Sequence, residues 1–171
     1  MPNSEIPAIR ASALKLLTMR QHTERELEKK LSRKGYSTPS VLAVIKQLKQ
    51  QGYVDDESFA ARYAEQKRRN AKSGKKLLIR QLYAKGVSRE IIHQTVELGI
   101  TEEEEFILAK EAAEKKIGQW QSASPDTTQF LRKASGYLKR KGFSDSIIIK
   151  VLNLMIQSDN WADSVSDDFP S

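Results

Sequence analysis

One seven-residue phrase occurs three times in this chain, and it dictates where the polypeptide can turn. Leu31–Ser37 reads LSRKGYS, Leu82–Ser88 reads LYAKGVS and Leu138–Ser144 reads LKRKGFS. The shared template is Leu-x-x-Lys-Gly-apolar-Ser, with glycines at 35, 86 and 142. Each element has a physical role at a helix-to-helix corner. The Leu lies in the last turn of a helix, and the Lys suits the negative end of that helix dipole. The Gly takes the left-handed stop position, which a residue with a Cβ enters only at a cost. The Ser caps the next helix. The apolar residue before the cap packs into the new helix, pairing Tyr36 with Val41, Val87 with Ile92 and Phe143 with Ile148.

Between the corners the apolar residues recur at helical spacing, and strand alternation is nearly absent. The first helix is expected over about Pro7–Met19, with Ile9, Ala13, Leu16 and Leu17 on one face. Thr23 and Glu26 form a capping box for a second helix that carries Leu27 and Leu31 inward. A third starts at Ser37 with Pro39 in its first turn, buries Val41, Ile45 and Leu48, and stops at Gly52. Asp55 or Asp56 caps a fourth, whose inner face is Phe59, Tyr63 and Ala64. Asn70–Gly74 reads as a connection to a helix carrying Leu78 and Leu82, and Ser88 opens one with Ile92 and Val96 inward. Thr101 and Glu104 make another capping box, followed by Phe106, Ala109, Ala113, Ile117 and Trp120. Ser122–Asp126 reads as a linker before two further helices, one to Lys141 and one from Ser144 to Gln157.

The expected fold is therefore all-α: an elongated, curved array of three tandem three-helix repeats over residues 1–53, 54–100 and 101–157. An acidic, disordered tail is expected over residues 158–171, Trp161 and Phe169 notwithstanding. That tail holds four Asp and no base, so removing it raises the net charge from +7 to +11. A body this basic favours a polyanionic partner, nucleic acid before membrane. No apolar run approaches the ~20 residues that span a bilayer, the N-terminus lacks the pattern of a signal peptide, and cysteine is absent, which suits an intracellular setting.

The densest basic run holds Lys67, Arg68, Arg69, Lys72, Lys75, Lys76 and Arg80 without an acid. A second cluster comprises Arg132, Lys133, Lys139, Arg140 and Lys141, and a third Lys29, Lys30, Arg33 and Lys34. One such run is usually a solvated helix face. Three at the same repeat position point to contact with phosphates or an acidic protein. Asp55-Asp56-Glu57 is read as a helix cap rather than a metal or acid–base cluster. Ser73-Gly74-Lys75 fails as a phosphate loop, because Arg69 stands where the earlier Gly is required and Lys76 replaces the Ser or Thr. His22 and His93 show no evident Ser, Asp or Glu partner.

The stretch GYVDDESFAARY (Gly52–Tyr63), the basic run after it and RQLYAKGVS (Arg80–Ser88) resemble the RecX family, bacterial regulators of the RecA recombinase. So does ALKLLTMRQHTERELEKKLSRKGYS (Ala13–Ser37), and the similarity covers roughly residues 8–155. The resemblance implies a non-enzymatic modulator, without catalytic, cofactor or metal site, built of tandem three-helix repeats. It implies binding in the groove of the RecA filament on single-stranded DNA and restraint of its ATPase, strand exchange and co-protease activities. Double-stranded DNA is a further ligand to consider, and a cytoplasmic monomer with no membrane partner is expected. The twelve basic residues in the two larger clusters, Lys67 to Arg80 and Arg132 to Lys141, are the candidates for DNA or filament contact. The alternative is a general DNA-binding helical-repeat module with no recombinase partner.

Overall fold

The computed structural model describes residues 5–122 and 126–158, and every regular element among them is helical. The order is α1 (Ile6–Met19), α2 (Glu24–Ser32), α3 (Thr38–Gln50), α4 (Asp56–Ala71), α5 (Lys75–Ala84), α6 (Arg89–Ile92), α7 (Glu102–Ser122), α8 (Thr127–Lys141) and α9 (Asp145–Ser158). α6 runs on as a π-helical turn over His93–Leu98. The protein is thus all-α, as the periodicity predicts. The tail beyond Ser158 and the middle of the 122–126 linker lie outside the described residues.

The three corners form where the phrase places them. Gly35, Gly86 and Gly142 have φ of +88°, +82° and +86°. At the second, the Val87 N–H reaches the Leu82 carbonyl at 3.1 Å and the Gly86 N–H the Tyr83 carbonyl at 2.9 Å. At the third, the Phe143 N–H reaches Leu138 at 3.2 Å and the Gly142 N–H Lys139 at 3.0 Å. Both satisfy the terminal carbonyls of the outgoing helix. Ser88 and Ser144 then accept from the Ile91 and Ile147 N–H groups at 3.3 and 3.4 Å.

The first corner departs from expectation at its cap. Ser37 accepts no helix N–H; its hydroxyl bonds Glu5 Oε2 at 2.8 Å and lies 2.9 Å from Ser40 Oγ. Pro39 removes one candidate donor, but the N–H three residues on, which Ser88 and Ser144 take, belongs here to Ser40 and is not used. The Thr101 box is complete, with Glu104 accepting from the Thr101 N–H and Thr101 from the Glu104 N–H. The Thr23 box is half formed: Thr23 accepts from the Glu26 N–H at 3.1 Å, but the Glu26 carboxylate turns to Arg20 and Lys85. α4 also extends through Asn70 and Ala71, so the break before α5 is only residues 72–74, with Lys72 at φ +50°.

Contacts divide the chain into two compact units. The first holds the residues up to Glu65 together with Ile79–Gly99, the second Gln66–Leu78 with the residues from Ile100 onward. The division runs through α4 and α5. In the first unit a core of Ile9, Ala13, Leu27, Leu31, Val41 and Leu48 is fully buried, and Tyr36 packs against it as a staple. In the second, Ala113, Phe130, Ala134, Leu138, Ile147 and Val151 are fully buried, with Phe143 and Ile148 beside them. Each large aliphatic or aromatic side chain so buried contributes about 1.5–3 kcal/mol.

Candidate nucleic-acid interface

The side chains around the second and third corners decide which cations are free for a ligand. In the first unit the Lys85-Gly86 corner lies against the start of α2. The Thr23 hydroxyl donates to the Lys85 carbonyl at 2.6 Å. Lys85 Nζ donates to Glu26 Oε1 at 3.0 Å and lies 5.7 and 5.2 Å from the ring centres of Phe59 and Tyr63, which stack on each other. Asp56, in the first turn of α4, accepts from the Glu24 N–H at 3.0 Å and so caps α2 from outside. A Cβ on Gly86 would come within 2.5 Å of the Arg25 Cβ.

The second unit repeats this arrangement with other atoms. The Gly74 N–H donates to the Lys141 carbonyl at 2.8 Å, and the Lys76 N–H to the Gly142 carbonyl at 2.9 Å. Lys141 Nζ donates to the Ala71 carbonyl at 2.6 Å and sits 5.5 Å from the Tyr137 ring centre. Glu105, buried in the first turn of α7, accepts from the Lys75 N–H at 2.9 Å and caps α5. Aligning Leu31 with Leu82 puts Thr23 opposite Gly74 and Glu24 opposite Lys75. The two junctions are thus equivalent in position though not in atoms: a corner carbonyl takes a donor from a helix start, and a carboxylate from the following repeat caps that helix.

Ser73 and Gly74, rejected above as a phosphate loop, are buried in that junction. A Cβ on Gly74 would meet the Gly142 carbonyl carbon and the Phe143 nitrogen at 2.6 Å. Asp55 accepts from the Ser58 N–H at 3.0 Å and is the cap of α4. With Asp56 serving α2, both acids have structural partners, as the cap reading expects. The reading of the histidines is corrected. His22 Nδ1 lies 3.2 Å from Glu26 Oε2, and His93 Nδ1 2.7 Å from Glu97 Oε2. Both are four-residue spacings, but only His93 lies within a helical segment; His22 precedes the Thr23 cap and folds onto the start of α2. Burial, then the Arg20 charge, holds the His22 pKa below its ordinary value despite Glu26.

The twelve basic candidates fall into distinct groups. Lys141 is built into a junction. Arg68 Nη2 stands 3.7 Å from Glu104 Oε1, and Lys72 pairs with Glu111. Lys76 and Lys139 flank one carboxylate, Asp145, at 3.3 and 3.2 Å, with all three side chains more than half exposed. This brings the 67–80 run and the 132–141 cluster, some sixty residues apart in sequence, to one surface. Arg69, Arg80, Arg132 and Arg140 are exposed on their helices, and no ion pair involves them among the described residues. Lys67, Lys75 and Lys133 are half-buried. Sequence reasoning missed Asp145, although it directly follows the cap Ser144 of a phrase otherwise read in full. It also missed the caps from Asp56 and Glu105, which exist only once the repeats dock.

The exposed Asp145 carboxylate between two lysines shows that they can share one oxyanion, and a backbone phosphodiester carries the same single charge.

Comparison with known proteins agrees with this architecture. The chain matches the models of the RecX first, second and third three-helix domains over residues 10–48, 55–96 and 102–152. It is 34% identical over 147 residues to the regulatory protein RecX of Mycolicibacterium vanbaalenii, covering 84% of this chain and 79% of that one. It is 31% identical over 156 residues to the regulatory protein RecX of Pelodictyon phaeoclathratiforme, covering 91% and 94%. In fold it resembles the crystal structure of RecX from Lactobacillus salivarius, with a TM-score of 0.81 at 21% identity over 91% of this chain and 99% of the other. With three tandem domain matches and relatives aligned over most of their length, the chain belongs to the RecX family of regulatory proteins.

Proposed function

We propose that the protein binds the RecA filament on single-stranded DNA and inhibits its ATPase, strand exchange and co-protease activities, acting as a regulator without catalysis of its own. Family membership supports the regulatory role. The observation that supports the DNA contact is the convergence of Lys76 and Lys139 on Asp145, where two separate basic runs meet on one exposed surface. The neighbouring exposed arginines, Arg132 and Arg140 on α8, extend the positive surface. Binding through phosphates is sequence-independent and falls steeply with salt.

The test is ATP hydrolysis by RecA on single-stranded DNA with increasing amounts of the protein. Inhibition at substoichiometric or stoichiometric ratios is expected; an unchanged rate at every ratio sinks the proposal. The double variant Lys76→Glu/Lys139→Glu should bind single-stranded DNA more weakly. Its log–log salt slope should be shallower by about 1.4, at ~0.7 per lost phosphate contact. Salt-dependent DNA binding with indifference to RecA would favour the general DNA-binding module instead.

A further inference from the structure

Among the described residues, two of the three Lys-Gly corners are covered and one is bare. A Cβ on Gly86 or Gly142 would collide with the preceding repeat, with approaches as short as 2.3 Å. Around Gly35, with the same left-handed backbone, no described atom lies within 4 Å of that position. Lys85 and Lys141 reach back to Glu26 and Ala71. Lys34 is exposed, and no ion pair involves it among the described residues. No described segment occupies this first corner, so among the described residues it presents outward the same surface that the other two use for docking.

The molecule also shows what such a corner accepts. Both internal occupants are the first turn of an α-helix: Thr23–Glu26 opening α2, and Gly74–Leu77 opening α5. The essential contact is a donor from that turn to the corner lysine's carbonyl. A nucleic-acid phosphate has only acceptors and cannot make it, whereas a protein helix start carries unpaired N–H groups. The surroundings select the charge. Lys29, Arg33 and Lys34 are exposed around Gly35, and Lys30 is half-buried beside them. No ion pair involves these four among the described residues. They complement an acidic first turn, like the one in which Glu26 receives Lys85. A second copy of this chain is a poor occupant at its far end. Position 130 of α8 is the counterpart of Thr23 and Gly74, and the Phe130 N–H already bonds the Asp126 carbonyl inside the helix.

We infer that the Lys34-Gly35 corner docks the acidic first turn of a helix on the protein partner, while the Lys76–Lys139 surface faces DNA. This rests on the proposed filament binding and deepens it by dividing the two basic regions between the two components. Gly35→Asn provides the test. Asn tolerates the left-handed backbone, and its side chain points into the space a docking helix needs. Lys34→Glu, which leaves the turn glycine alone, reverses the charge.

Wild type and both variants are compared by co-sedimentation with RecA filaments on poly(dT), and by poly(dT) binding alone. Filament binding should weaken about tenfold or more, equivalent to a free-energy change of ~1.4 kcal/mol. Poly(dT) affinity should stay within about twofold, and the variants' unfolding midpoints close to wild type. Wild-type filament binding retained by both variants overturns this inference alone. Failure of the wild type to bind filaments overturns it together with the function on which it rests. Equal losses on filament and bare poly(dT) would show the corner to be a DNA contact, and would also overturn it.

Discussion

The junctions at Lys85-Gly86 and Lys141-Gly142 perform one task with different atoms. At the first, the contacts to the corner lysine come from side chains: the Thr23 hydroxyl and the Glu26 carboxylate. At the second they come from backbone: the Gly74 N–H and the Ala71 carbonyl. What persists is geometry, namely a left-handed glycine pressed against a helix start and a carboxylate from the next repeat capping that start. The chemistry at the facing position is exchangeable, Thr in one case and Gly in the other. A repeat protein needs its neighbours at a fixed spacing, and these junctions show that the spacing can be met by side-chain or main-chain donors.

The difference is broken most severely by filling the corners. Gly142→Ala would place a methyl 2.4 Å from the Leu77 backbone nitrogen, so α5 itself must shift. Left-handed strain adds to that overlap, and the loss should be about 3 kcal/mol or more. Gly86→Ala meets the side chain of Arg25, whose outer atoms can swing away though its Cβ cannot; about 2–3 kcal/mol is expected. Gly35→Ala meets nothing described within 4 Å and should show backbone strain alone, about 1–2 kcal/mol. Urea unfolding of the three variants checks the order. Equal losses would mean that the left-handed backbone, not docking, is what the glycines serve.

The next effect concerns charge. Burial pushes the Glu26 carboxyl up, but hydrogen bonds from Arg20 and Lys85 outweigh it and bring the pKa from 4.5 down to about 2. A depressed carboxyl contributes stability above its unfolded pKa and loses it as pH falls toward the folded one. The first junction should therefore weaken between about pH 5 and pH 2. Glu26→Gln should cost about 2 kcal/mol at neutral pH and flatten that acid limb. His22, with its pKa also lowered, adds a loss in the same direction below pH 6.5, so the Glu26 effect is read from the difference between variant and wild type. The second junction, held by backbone bonds, contains no such carboxylate at its lysine. Fragment-resolved hydrogen exchange at pH 3 should show the first junction opening before it. Simultaneous opening would mean that the Glu26 pair does not set the acid stability of its own corner.

Much of this fold was legible from residue types. Helix spans, the three left-handed glycines and the burial of Leu31, Leu82 and Leu138 follow from local periodicity and turn chemistry, which act over a few residues. The functional reading was less legible, because the fate of a lysine depends on what docks beside it. Lys34, Lys85 and Lys141 occupy the same place in the phrase. Yet Lys85 and Lys141 have partners 59 and 70 residues away, and Lys34 has no ion pair among the described residues. Ser37 shows the same limit on a smaller scale: the phrase predicts a cap, and the hydroxyl is found on Glu5, 32 residues away, instead.

The smallest effect separates screening from organisation at Lys76 and Lys139. Their hydrogen bonds hold the Asp145 carboxyl below its usual pKa, so it stays charged throughout the neutral range. All three side chains are well exposed, and exposed pairs of this kind contribute little to stability. Asp145→Asn should accordingly leave the unfolding midpoint almost unchanged. If Asp145 only competes with phosphate, its loss frees two ammonium groups, and affinity for single-stranded DNA should rise about two- to fivefold at low ionic strength. That gain should shrink as salt shortens the screening length below the spacing of the charges. If Asp145 instead holds the two lysines together for a shared phosphate, the same substitution weakens binding, and Lys76→Ala and Lys139→Ala become additive in its background though coupled in the wild type. The sign of one affinity change thus says whether the meeting of the two basic runs is a consequence of Asp145 or merely tolerates it.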